Sequence, residues 1–155
     1  MNLEKYQQKT IKHEISCVGV GLHTGNKISM VLKPAEINTG IVFHRTDVAG
    51  LNAYIPARHE NVVDTRMCTC IGNKDGVKIA TIEHLMAAIH ALGITNLEID
   101  INGPETPVMD GSAAPFVFLI ECAGVKVQKA ALKAVKVLKP VSYKDGDKEV
   151  TLSPA

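Results

Sequence analysis

Residues 81–101 read TIEHLMAAIHALGITNLEIDI, and the hydrophobic period changes within that stretch. Ile82, Leu85, Met86, Ile89 and Leu92 recur at the spacing of about 3.6 residues that turns one face of a helix toward a core. Thr81 stands where an N-cap belongs and Gly93 where a left-handed residue closes a helix, so the pattern predicts a helix from Ile82 to Leu92. After a short connection every second residue becomes apolar: Leu97, Ile99 and Ile101 alternate with Glu98 and Asp100, a strand with one buried face.

The same two signals recur on either side. Ile28-Ser29-Met30-Val31-Leu32 alternates as cleanly as 97–101, and noisier runs lie at Thr10 to Val18, Ile41 to Arg45, Met67 to Ile71, Val77 to Ala80 and Val125 to Gln128. A second helix is predicted after Ser112, with Pro115 in its first turn, Phe116, Leu119, Ile120 and Ala123 on its apolar face, and Gly124 at its end. The fold class is therefore α+β, a two-layer domain in which a mainly antiparallel sheet is packed by two helices. Val135 to Tyr143 alternates loosely, Lys144-Asp145-Gly146-Asp147 is a tight-turn signal, and Lys148 to Ser153 returns. A lone hairpin has no core of its own. Residues 1–130 are thus expected to form the domain, and 131–155 an edge decoration or the first hairpin of a second, similar domain absent from this chain.

Composition sets outer bounds. The chain has 155 residues, 46% hydrophobic and 21% charged, enough to bury one ordinary core, which excludes disorder. Its net charge of +1 lacks the basic excess of a protein that lives on phosphate backbones, so no nucleic-acid partner is expected. No apolar run suits a membrane span, and the polar start MNLEKYQQKT lacks a secretory signal, so a soluble cytoplasmic protein is expected. Cys17, Cys68, Cys70 and Cys122 show no C-x-x-C spacing and read as reduced thiols.

Three stretches hold residues capable of chemistry. Gly19-Val20-Gly21-Leu22-His23-Thr24-Gly25 is a poor dinucleotide fingerprint, because its third glycine falls one position late and a strand follows it. It reads as a glycine-rich turn between strands, with His23 at its tip keeping a functional role open. In Thr81-Ile82-Glu83-His84, Glu83 either complements the helix dipole or serves as a base, and His84 is either a satisfied core histidine or a metal ligand. His84 shares the back of the helix with Ala87, Ala88 and Ala91, where a solvated face would carry Lys, Glu or Gln, so a second domain or a ligand should pack there. Cys68 and Cys70, on one face of an expected strand, are buried thiols or metal ligands, and Asp110 is a cap or turn partner of the second helix.

Taken together, GVGLHTG (Gly19 to Gly25), DTRMCTC (Asp64 to Cys70), TIEHLMA (Thr81 to Ala87) and PETPVMDGSAAPF (Pro104 to Phe116) resemble one family, from about Lys9 into the final hairpin. The family is the bacterial zinc deacetylases that remove acetate from UDP-3-O-acyl-N-acetylglucosamine in lipid A synthesis, and the likeness is to their amino-terminal half. The resemblance implies a Gram-negative-type cytoplasmic enzyme with an active site between two similar α+β layers. Zinc would be held by one histidine from the first domain and a His-x-x-x-Asp pair from the second. It puts the first-domain ligand on His84, the general base on Glu83, the active-site histidine of the glycine loop on His23, and side chains near the substrate or its passage on Leu22, Met67 and Cys68. No His-x-x-x-Asp follows His84 before Ala155, so the missing carboxyl-terminal domain is itself an expected partner and the 155-residue chain alone is expected to be inactive. A non-catalytic α+β binding module, dimerising through the alanine face, is the competing expectation.

Overall fold

The structure is a computed structural model that describes residues 6–49 and 52–155. In chain order its elements are β1 (Gln7–Ile11), β2 (Ile15–Val20), β3 (Lys27–Pro34), β4 (Ile41–Arg45), β5 (Tyr54–Pro56), β6 (Val62–Asp64), β7 (Cys70–Gly72) and β8 (Lys78–Ile79). There follow α1 (Glu83–Ala91), β9 (Leu97–Ile101), α2 (Ala114–Ala123), β10 (Val125–Ala131), β11 (Val141–Asp145) and β12 (Lys148–Leu152). The α+β, two-layer expectation holds.

The main sheet has the order β2-β3-β9-β4-β5. Its pairs are antiparallel except β4 beside β9, which run parallel with Phe43 opposite Ile99. Because Met30 faces Ile101 and Leu32 faces Ile99 across β3 and β9, the two clean alternations point to the same side. Ile28, Met30, Leu32, Leu97, Ile99 and Ile101 are at most 1% exposed, and α1 and α2 cover them with Leu85, Ala88, Ile89, Phe116, Ile120 and Ala123. Each fully buried Leu, Ile or Phe contributes about 1.5–3 kcal/mol, so this layer fixes where α1 lies.

The remaining strands are peripheral. β1 pairs with β10, β6, β7 and β8 form a small antiparallel sheet, and β11 and β12 form the anticipated hairpin, with Asp145 opposite Lys148 and all ten strand residues exposed. Among the described residues no helix is long and apolar enough to cross a membrane.

Several local expectations need correction. Thr81 is not an N-cap: Ile82 occupies that position without a side-chain cap, while Thr81 has φ +60° and sends its hydroxyl to Glu105. The run from Thr10 to Val18 is two strands broken between Ile11 and Ile15, and β5 and β6 were not anticipated. Cys68 lies outside β7, so it does not share a strand face with Cys70. Ala88 is fully buried where α1 meets α2, leaving Ala87 and Ala91 as the exposed alanines of that side. Gly93 has the expected positive φ, α2 stops before Gly124 as expected, and Ser112, one residue ahead of the α2 N-cap, accepts a hydrogen bond from the Ala114 amide.

Candidate active site

The glycine-rich segment joins β2 to β3 as a closed turn, with the Gly21 amide donating to the Asn26 carbonyl and the Gly25 amide to the Gly21 carbonyl. Glycine is needed at 19 and 21 because the segment 104–108 crosses directly over β2. Gly21 bridges Pro107, and the Val108 amide donates to the Val20 carbonyl. A Cβ on Gly19 would lie 2.7 Å from Pro107 Cβ, and one on Gly21 2.6 Å from Glu105 Oε2.

Glu105 is the buried charge at the centre of this crossing, with no exposed surface. Its carboxylate accepts from the His23 amide at 3.0 and 3.1 Å, the Thr24 amide at 3.1 Å, the Thr24 hydroxyl at 3.1 Å and the Thr81 hydroxyl at 2.8 Å. Burial pushes its pKa upward, but these donors outweigh it and hold the carboxyl below the usual range. Thr81 is 2% exposed and left-handed, a conformation that costs a β-branched residue roughly 1–2 kcal/mol. It is kept there by its bond to Glu105 and by the Thr106 hydroxyl, which donates to the Thr81 carbonyl.

From Thr81 the chain enters α1. Glu83 Oε2 accepts from the Thr69 amide at 3.0 Å, which ties the segment holding Met67 and Cys68 to the first turn of the helix. The same segment is braced by Arg66, whose guanidinium donates to both oxygens of Asp64. His84 is half-buried, and its Nδ1 is the one buried side-chain nitrogen or oxygen among the described residues with no hydrogen-bond partner. The Asp110 carboxylate accepts from the Ser112 hydroxyl and amide, the anticipated turn role. Those two bonds hold its carboxyl below the usual range. Leu22, His23 and Met67 are exposed and Cys68 is half-buried.

The profile of the family described as LpxC, UDP-3-O-acyl N-acetylglycosamine deacetylase, matches residues 8–155. The chain belongs to this family. It is 50% identical over 147 residues to the UDP-3-O-acyl-N-acetylglucosamine deacetylase of Shewanella piezotolerans, covering 95% of this chain and 48% of the relative. It is 51% identical over 149 residues to the enzyme of that name from Acidithiobacillus ferrooxidans, covering 96% and 48%, and 50% identical over 147 residues to that of Shewanella oneidensis. The chain spans about half the length of these deacetylases.

Within this deacetylase family member the residues singled out from sequence fall into two groups, each tied to α1. Leu22 and His23 are tied through Glu105 and Thr81, and Met67 and Cys68 through Thr69 and Glu83. Glu105 and Thr69 escaped the sequence reading. For Glu105 the available signal was the i, i+2 glycine pair, which marks a strand that another backbone approaches closely. The residues fit the metal that the family resemblance implies in one respect: His84 has a buried ring nitrogen that no protein group satisfies. Cys70 fits less well, since burial, then the neighbouring Cys68, push its thiol up and disfavour a thiolate. A separate group, His44, Glu98 and Asp100, lies on the opposite face of the main sheet, where Asp100 already bonds Lys33 and His44 and the His44 ring stacks on Tyr54.

Proposed function

We propose that this chain supplies one side of the active site of a zinc-dependent amidohydrolase that releases acetate from UDP-3-O-acyl-N-acetylglucosamine. The observation that carries the reading is the pairing at the start of α1 of a histidine with an unsatisfied buried nitrogen, His84, and a carboxylate held by a backbone amide, Glu83. His84 would be the ligand from this chain. A catalytic zinc takes several protein ligands, so the others come from outside these residues, and residues 131–155 are the start of the second domain, beyond a first domain of 1–130. A cytoplasmic setting belongs to the same proposal.

When bound, zinc supplies Lewis acidity toward the acetamide carbonyl and makes water more acidic. Glu83 is the general base. With Oε2 fixed by the Thr69 amide, Oε1 can take the proton of the water whose oxygen attacks the carbonyl carbon. As the carbon–nitrogen bond breaks, that proton ends on the departing amine and acetate is left. His23, on an exposed loop tip whose backbone is fixed by Glu105, faces the substrate together with Leu22, Met67 and Cys68.

The test uses the protein its gene encodes. Glu83→Gln keeps the shape and the acceptor for Thr69, so metal content stays while turnover falls by about two to four powers of ten. His84→Ala lowers metal content and turnover together. Full zinc and near-normal turnover in His84→Ala would refute the assignment and favour the non-catalytic module.

A further inference from the structure

We propose that Glu105 is a positioning residue, whose buried carboxylate fastens the loop bearing His23 to Thr81 and so sets His23 against Glu83 and His84. This rests on the assignment of those three residues above. A carboxylate without exposed surface is costly unless its charge is met, and among the described residues no cation meets it: its partners are the amides of His23 and Thr24 and the hydroxyls of Thr24 and Thr81. The donors come from two segments far apart in sequence, and each segment is locally unfavourable without the carboxylate. The loop points consecutive amides at one spot, an arrangement that suits an anion. Thr81 adopts a left-handed φ of +60° two residues before Glu83. Gly21 lacks a Cβ where the carboxylate passes, 2.6 Å from where that atom would be. The result is an anion site filled by the chain's own glutamate, whose side chain joins the His23 loop and Thr81 directly, where the backbone offers only the isolated bridges of Gly21 to Pro107 and of Ala80 to Glu105.

A residue that only held the fold together would lower stability and leave chemistry unchanged at low temperature. A positioning residue acts through what it positions. In the zinc-loaded protein its gene encodes, assayed well below the unfolding temperature, Glu105→Gln is therefore expected to lower kcat/KM about tenfold to a hundredfold with zinc content unchanged. In a His23→Ala background the same change should cost less than about threefold, because the group it positions is gone. Hydrogen exchange at the amides of His23 and Thr24 should accelerate in Glu105→Gln. Thr24→Ala, which removes one donor and keeps the carboxylate, should show the same coupling on a smaller scale, and it decides the matter if Glu105→Gln does not fold. Unchanged turnover, or losses that simply multiply with that of His23→Ala, would overturn the positioning role. Unchanged amide exchange would overturn the clamp itself. If instead His23→Ala retains full turnover, the assignment of His23 fails and this proposal's link to catalysis fails with it, while the exchange measurement still judges the clamp separately.

Discussion

Asn96 is 1% exposed, yet its side chain is amide rather than apolar, and the reason is a network that sews three segments together. Its Nδ2 donates to Gln8 Oε1 on β1 and to Gln128 Oε1 on β10, both at 2.8 Å, and its Oδ1 accepts from the Gly40 amide at 2.9 Å. Gln8 also exchanges two hydrogen bonds with Asn38, and Gln128 donates to the Ala35 carbonyl. Asn96→Ala would leave Gln8 Oε1 with the Asn38 amide, but would strand the buried Gln128 Oε1 and take the acceptor from the half-buried Gly40 amide, beside the cavity lined by Gln8 and Asn38. A buried unsatisfied group costs roughly 1–3 kcal/mol and the lost hydrogen bond of a half-buried amide about 0.5–1.5 kcal/mol, so the substitution should destabilise by about 1.5–4.5 kcal/mol. At about 2–4 °C per kcal/mol for a chain of this size, the thermal midpoint should drop by about 3–18 °C. Hydrogen exchange at Gly40 supplies the local reading, since that amide loses its acceptor and should exchange far faster than the core amides of β9. A midpoint within about 2 °C of the parent, with Gly40 still protected, would show that water replaces the amide at little cost and that the network does not hold β1 and β10 to the domain.

Two further outcomes are expected. Gly21→Ala puts a methyl 2.5 Å from Thr24 Oγ1 and 2.6 Å from Glu105 Oε2, so it should cost about 1–3 kcal/mol in thermal or denaturant unfolding, and a neutral result would mean that the crossing over β2 is looser than described. Burial pushes the Asp100 pKa up, but Lys33 and then His44 pull it below its usual value overall; the stability it contributes is present above the unfolded value of about 3.9 and lost as pH falls through the folded one. The thermal midpoint should therefore fall below about pH 4, and Asp100→Asn should remove part of that fall while lowering the midpoint at neutral pH; parallel pH profiles for the two proteins would contradict it.

The elements that could be read from sequence are those whose signals are local. The helix at 83–91 and the strands at 27–34 and 97–101 bury one face of a long, regular pattern, so periodicity suffices. β5 and β6 span three residues each, too short for any alternation to show, and β6 buries none of its side chains fully. Thr81 shows how a sound local rule fails. A threonine ahead of an apolar helical run is an ordinary N-cap, but this hydroxyl is claimed by a carboxylate twenty-four positions on, and the backbone is strained to deliver it. Glu83 and His84 stand out in the sequence because they sit together on a helix. Glu105 does not, because its partners come from β2–β3 and from the start of α1, and only the fold puts them around it.

The way the site residues are held differs from the way the domain is held. α1 is located by Leu85, Ala88 and Ile89 against the sheet and α2, and that packing settles the helix axis. It does not settle where the loop of His23 or the segment of Met67 and Cys68 stands relative to the first turn, since neither lies in a strand. Those placements rest on a few backbone bonds, the bridges of Gly21 to Pro107 and Ala80 to Glu105 and the Ile82 amide on the Thr69 carbonyl, and on side chains that reach across to foreign backbone: Glu105 to the amides of His23 and Thr24, and Glu83 to the amide of Thr69. A charge-assisted hydrogen bond of this kind is directional and short in range, whereas apolar burial is neither. Truncating a core residue such as Ile89 should therefore lower stability with little change in chemistry per folded molecule. Loss of one of the two carboxylates should change the chemistry of each folded molecule as well as lower stability, and Glu83 would then serve twice, as the base and as the strut that holds the Thr69 amide.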